Sequence, residues 1–177
     1  MANGKVVCLA GETGSGKGTF IKDKCNEAGE KEVICYLRIR DDFKVPGKKV
    51  KVFTNFIEFL RYAHTKKDCI IIIDEAFTCL PKKLNISMTN PNHPHNLLAD
   101  ILVNARKLNN FVFIVYHSLS QIPTEWLIPY LNWLLRFFTN DLIQYQLQRF
   151  KSFPKIHNSL LTVPQVEQYK NIPLKLR

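Results

Sequence analysis

The chain lacks a long apolar run. Its nearest approach, Leu127–Phe138, is broken by Pro129, Asn132 and Arg136, and it falls short of the ~20 apolar residues that a membrane-spanning helix needs. No secretory leader opens the sequence, since Lys5 precedes only a short apolar stretch. Internal repeats and low-complexity segments are absent as well, which sets aside solenoids and compositionally biased tails. Metal-ligand spacing is missing among the five cysteines, Cys8, Cys25, Cys35, Cys69 and Cys79. His93 and His95 flank Pro94 with no partner ligands, so surface histidines are expected there rather than zinc. An odd number of cysteines, three of them in expected buried strands, points to reduced thiols and a cytosolic setting. Acidic residues are the scarce charge: 15 against 25 basic ones, a net charge of +10. A surface of that sign concentrates phosphate-bearing partners without saying which.

What is present is enough for one folded domain: 177 residues, of which 46% are apolar. The most informative stretch is Cys8-Leu-Ala-Gly11-Glu12-Thr13-Gly14-Ser15-Gly16-Lys17-Gly18-Thr19. It follows the apolar run Val6–Ala10 and precedes a helical pattern, the strand–loop–helix context in which a phosphate-binding P-loop works. Glycines let successive N–H groups turn toward a triphosphate, and the helix dipole adds positive potential. Gly11 to Thr19 are therefore the expected ATP-binding segment, with Lys17 on the β- and γ-phosphates. The strict pattern places Ser or Thr directly after the lysine; here Gly18 intervenes and Thr19 is the nearest hydroxyl for magnesium.

Strands are expected at Lys5–Ala10, Glu32–Ile39, Cys69–Ile73, Phe111–Tyr116 and near Trp133–Phe138, with a short extra one at Lys49–Phe53. Helices are expected over Gly18–Ala28, from Asn55 with Glu58 three residues on as in a capping box, near Pro94–Leu108 and near Thr124–Tyr130. Pro81–His93 reads as a polar loop. Strand and helix alternate, which argues for an α/β fold: a parallel P-loop NTPase sheet of the RecA-like type with helices on both faces. Ligands on such sheets sit at the carboxyl ends of the strands. The polar ends Gly11–Thr19, Asp74-Glu75 and His117-Ser118 should then meet in one site. Residues 1–140 are expected to form the ATPase domain, and 141–177, basic and punctuated by Pro154, Pro164 and Pro173, an extension packed on it or forming an arm.

Ile70-Ile-Ile-Ile-Asp74-Glu75-Ala76 has the form of a Walker B segment, a buried strand ending in acid. Asp74 would hold the magnesium shell, and Glu75 could polarise a water for attack on the γ-phosphate. A phosphotransferase that must avoid hydrolysis has little use for the second acid. His117 is the candidate γ-phosphate sensor. Arg106 is the candidate arginine supplied across a subunit boundary, with Arg136 and Arg149 as rivals.

On these residues the chain resembles the FtsK–HerA superfamily of motor ATPases, closest to the small viral and phage genome-packaging enzymes. The resemblance spans roughly residues 4–140. Besides the two phosphate-site motifs it rests on Leu102-Val-Asn-Ala-Arg106-Lys107-Leu-Asn-Asn-Phe111, leading through Phe113-Ile-Val-Tyr-His117-Ser118 to Ile122-Pro123. In that family a helix ends in arginine, often arginine–histidine, and the next strand ends in a polar sensor, usually glutamine; Arg106-Lys107 and His117 stand at the matching places. The resemblance implies a homo-oligomeric ring that hydrolyses ATP with Mg2+ and moves single- or double-stranded DNA without sequence preference. It also implies a host-cytoplasmic or virion-associated setting and a capsid-vertex partner. Three other readings stay open. A zonula-occludens-toxin-like phage assembly ATPase has a similar core but carries a membrane segment. A nucleoside or nucleotide kinase is favoured by Gly16-Lys17-Gly18-Thr19 and opposed by the lack of an arginine-rich lid. A nucleotide-gated binding protein would leave Glu75 silent.

Overall fold

The protein is described here by a computed structural model covering residues 4–38, 43–138 and 161–162. Its strands are β1 (Lys5–Gly11), β2 (Glu32–Tyr36), β3 (Val50–Phe53), β4 (Cys69–Ile73), β5 (Phe111–Tyr116), β6 (Trp133–Phe138) and the two-residue β7 (Leu161–Thr162). Its helices are α1 (Lys17–Glu27), α2 (Phe56–Ala63), α3 (Pro94–Asn104) and the single turn α4 (Thr124–Leu127). The strands form one sheet in the order β3-β2-β4-β5-β1-β6-β7, and every neighbouring pair is parallel. The expected α/β class and helix-covered parallel sheet are thus present.

Side-chain alternation explains why the central strands are apolar throughout. Val6, Cys8 and Ala10 of β1, Ile71 and Ile73 of β4, and Val112 and Ile114 of β5 face one core, shared with α2 and α3. Val7 and Leu9, Ile70 and Ile72, and Phe113 and Val115 face the other, shared with Phe20, Ile21 and Cys25 of α1. Residues i and i+2 share a face in a strand, so a sheet covered on both sides leaves no position for a polar residue until the strand ends. Helix α2 starts as its sequence predicts: Asn55 Oδ1 accepts from the N–H groups of Ile57 and Glu58, at 3.0 and 3.2 Å.

Three boundaries differ from the sequence expectation. Strand β1 runs one residue further, into Gly11. Strand β2 ends at Tyr36 rather than Ile39, and residues 39–42 lie outside the described set. Helix α3 stops at Asn104 rather than Leu108. The chain then continues in turns until Asn109 adopts φ +55°, the left-handed exit that Asn tolerates better than most residues.

The end of the sheet where the strands begin is closed by side-chain amides. Asn110 is 1% exposed; its Oδ1 accepts from Cys69 N–H at 3.1 Å and its Nδ2 donates to Lys66 O at 2.8 Å. Asn132 Oδ1 accepts from Val6 N–H at 2.8 Å. Lys31 pairs with Asp68, which also accepts from Asn109 Nδ2 at 2.7 Å.

Candidate nucleotide-binding site

Strands β4, β5 and β1 are neighbours and run the same way, so their carboxyl ends meet at the other edge of the sheet. The segment leaving β1 begins at Gly11, which lies in register with Phe137 of β6. A Cβ at Gly11 would collide with the Phe137 backbone carbonyl, so this glycine is demanded by strand packing as well as by the turn. Gly14 and Gly16 have φ of +80° and +90°, backbone that side-chain-bearing residues rarely adopt. Ser15, between them, is buried, and its N–H bonds Glu12 O at 3.2 Å. Gly16 stands at the N-cap of α1 with no side chain to cap it, and the first turn of that helix holds no acid. The positive end of α1 is therefore uncompensated by the helix's own residues, the electrostatic setting for an anion.

Lys17 is 7% exposed. Its ammonium folds over the loop and donates to Gly11 O at 2.5 Å, Glu12 O at 2.6 Å and Ser15 Oγ at 3.3 Å. Burial pulls its pKa below the ordinary 10.5, and the charges of Asp74 and Glu12 act in the opposite direction. That Asp74 acts on Lys17 brings the ends of β1 and β4 into one electrostatic site. Gly18 and Thr19 are both exposed on the first turn of α1.

Ile73 faces the α2–α3 core, so strand alternation directs Asp74 toward the α1 side, where Lys17 lies. Asp74 N–H bonds Tyr36 O at 3.1 Å, and its Oδ1 accepts from Glu75 N–H at 2.8 Å. Glu75 has φ +46° and ψ +43°, a left-handed conformation costing a non-glycine residue roughly 1–2 kcal/mol. A short 3₁₀ turn, Ala76–Thr78, follows and holds it, with Thr78 N–H and Oγ1 both donating to Glu75 O, at 2.9 and 2.8 Å.

His117 joins the three segments. Its Nδ1 is 3.4 Å from Thr13 Oγ1, and its ring meets that of Phe77 edge-on with centroids 5.5 Å apart. Gln121 Oε1 accepts from the N–H groups of His117 and Ser118, at 3.1 and 3.3 Å, which fixes the strand end from below. Sequence reasoning missed both Phe77 and Gln121. The spacing Ser118-x-x-Gln121 is a capping-box signal that could have found the second; nothing local marks the first. Beside His117, the Tyr116 hydroxyl is the one buried side-chain polar atom among the described residues that has no hydrogen-bond partner, and burial pushes its pKa up.

Arg106 is not brought to this site. It is exposed in the turn after α3, between Ala105 and Asn110, whose carbonyls abut Gly4 at the start of β1. It thus lies a strand's length, roughly 20 Å, from the phosphate loop. Arg136 is in β6, in register with Ala10, while Arg149 lies outside the described residues. His93 caps α3, accepting from His95 N–H at 3.2 Å, and the two rings stand 5.0 Å apart. The five thiols are all free; burial pushes those of Cys25, Cys69 and Cys79 up to about 12.

The sequence profile of the ATPase family associated with various cellular activities (AAA) matches residues 7–127, which takes in the phosphate loop, Asp74-Glu75 and His117. The chain belongs to this family. No curated protein sequence matches this AAA chain. Among solved structures it is similar to the genome packaging NTPase B204 of Sulfolobus turreted icosahedral virus 2, solved with ATP-gammaS. The TM-score is 0.60 at 12% identity, over 97% of this chain and 88% of that one; at that identity the likeness is one of fold. The Legionella pneumophila ATPase DotB aligns with 82% of this chain and 37% of its own, at 18% identity and a TM-score of 0.43. Among the described residues of this AAA protein, no helix is long and apolar enough to cross a membrane.

Proposed function

We propose that this protein is a magnesium-dependent ATPase that moves nucleic acid, of the FtsK–HerA genome-packaging kind. The observation that carries the reading is the meeting of Lys17, Asp74-Glu75 and His117 at one end of the sheet, delivered by three neighbouring strands. Lys17 and the N–H groups of Gly14 to Gly18 bind phosphate. The residues fit a triphosphate: the loop is rich in left-handed glycine, the end of α1 carries no acid, and a buried ammonium sits at the loop's head. Of the two side chains the sequence assigns to magnesium, Thr19 and Asp74, Asp74 is the one that acts on Lys17, and we give it the metal. Bound magnesium would neutralise charge on the phosphates. Glu75 is held beside Asp74 as the base that takes a proton from the attacking water. His117, bonded to Thr13 of the phosphate loop, reports the state of the γ-phosphate to β5. Arg106 serves only in trans, from a neighbouring copy in a ring.

The basic excess is assigned to nucleic-acid backbone, bound without sequence preference and with steep salt dependence. Residues 1–140 form the motor and 141–177 a basic extension, almost all of it outside the described residues. A capsid vertex in an infected cell's cytoplasm is the proposed place of work.

The test is phosphate release from ATP and magnesium, with and without DNA, and with nucleoside monophosphates offered as acceptors. DNA-stimulated release with no transfer is the expected result. Transfer to a monophosphate with little free phosphate would make this a kinase, the reading that the Lys17-Gly18-Thr19 ending favours.

A further inference from the structure

The phosphate loop departs from its own pattern at one position. The motif puts a hydroxyl on magnesium from the residue directly after the lysine. Here that residue is Gly18, the second residue of α1. Its backbone is not left-handed, and a Cβ built on it would meet nothing within 4 Å. Neither strain nor crowding therefore requires glycine, and the space where the hydroxyl would stand is open. The next residue does not replace it. Successive residues on a helix are about 100° apart, so Thr19 projects along a different line from position 18, and it is exposed. On the other side of the site, one oxygen of Asp74 already accepts from Glu75 N–H at 2.8 Å. Among the described residues, no three His, Cys, Asp or Glu side chains gather closely enough to hold a metal ion.

We propose that this chain takes magnesium only as the metal–nucleotide complex, with Asp74 as its single side-chain contact, because Gly18 leaves the hydroxyl position of the loop unfilled. The inference rests on the ATPase reading above. Magnesium keeps several waters and is commonly held through one or two carboxylates together with substrate phosphates. A chain with one carboxylate and no hydroxyl stands at the weak end of that range. The nucleotide's phosphates must then supply most of the protein-side coordination, and affinity for the free ion is lost. The chain differs in this from a loop ending in Lys-Ser or Lys-Thr, and the difference can be reversed by one hydroxyl.

The experiment titrates N-methylanthraniloyl-ATP into the wild type and into Gly18→Ser, Gly18→Ala, Thr19→Val and Asp74→Asn, once in EDTA and once in magnesium. Manganese binding without nucleotide is followed separately by electron paramagnetic resonance. Gly18→Ala controls for stiffening the helix start, and Ser suits that position, so both variants should fold. In magnesium, Gly18→Ser is expected to bind at least about tenfold tighter than Gly18→Ala, the scale on which a ligand's immediate environment alters metal affinity. In EDTA the two should match. Wild type should bind no manganese by itself. Equal affinity of Gly18→Ser and Gly18→Ala in magnesium overturns the inference. So does manganese binding by the nucleotide-free wild type, or a loss of magnesium dependence in Thr19→Val as large as in Asp74→Asn. Wild type that binds the analogue in neither condition removes the nucleotide reading itself, which separates that failure from the others.

Discussion

The two ends of the sheet are built from similar polar residues put to opposite use. Where the strands begin, Asn110, Asn132, Asp68 and Lys31 bond to backbone or to one another. Where β1, β4 and β5 finish, the polar groups are held in costly states. Lys17 is an ammonium buried against carbonyls, Glu75 is left-handed and the Tyr116 hydroxyl has no partner. One end stores stability and the other stores reactivity, a division expected of a site whose strain is supported by the surrounding fold.

The sharpest way to break this comparison is at Glu75. Changing Glu75→Gln should leave nucleotide binding intact while lowering turnover by about 10²–10⁴-fold, the usual worth of a general base. Single-turnover phosphate release against equilibrium nucleotide titration checks it, and parental turnover would remove the base assignment. At the opposite end, Asn110→Ala strands the Cys69 N–H and the Lys66 carbonyl. Each buried group left unpaired costs about 1–3 kcal/mol, so stability should fall by about 3 kcal/mol. For a domain of this size that lowers Tm by roughly 6–12 °C, while turnover per folded molecule is retained; calorimetry beside an activity assay decides. Tyr116→Phe removes the orphan hydroxyl and should be neutral or stabilising by up to about 1 kcal/mol; a clear loss of stability would mean that the hydroxyl has a partner in solution.

The smallest effect is an acid one. Asp68 has its pKa lowered, chiefly by its hydrogen bond to Lys31. A carboxylate whose folded pKa lies below its unfolded value adds stability above the unfolded value and loses it as pH falls through the folded one. The Asp68→Asn variant should therefore differ from wild type at neutral pH and converge with it below pH ~3. The difference should be slight, because the Asp68 side chain is 65% exposed.

Most of the architecture could be read before any coordinates. Runs such as Cys69–Ile73, apolar at every position, have one stable home in a parallel sheet covered on both faces, and the observed strand has those bounds. The phosphate loop and the acid pair were legible because their chemistry is local in sequence. What was not legible depends on approach between distant segments. The Phe77–His117 ring contact joins two loops forty residues apart in the chain. The need for Gly11 beside Phe137 is set by strand order. Arg106 was read as near a helix end, which it is, but the helical wheel says nothing about which end of the sheet that helix reaches.

The meeting of Gly11 and Phe137 has a mechanical consequence. The two backbones lie shoulder to shoulder in β1 and β6 with no room for even a methyl group between them. Side chains usually cushion such contacts by changing rotamer; bare backbone cannot. A pull along β6, the strand from which the chain continues into its basic final stretch, is thus passed rigidly to the first residue of the phosphate loop. Load and nucleotide share a hinge with no slack in it.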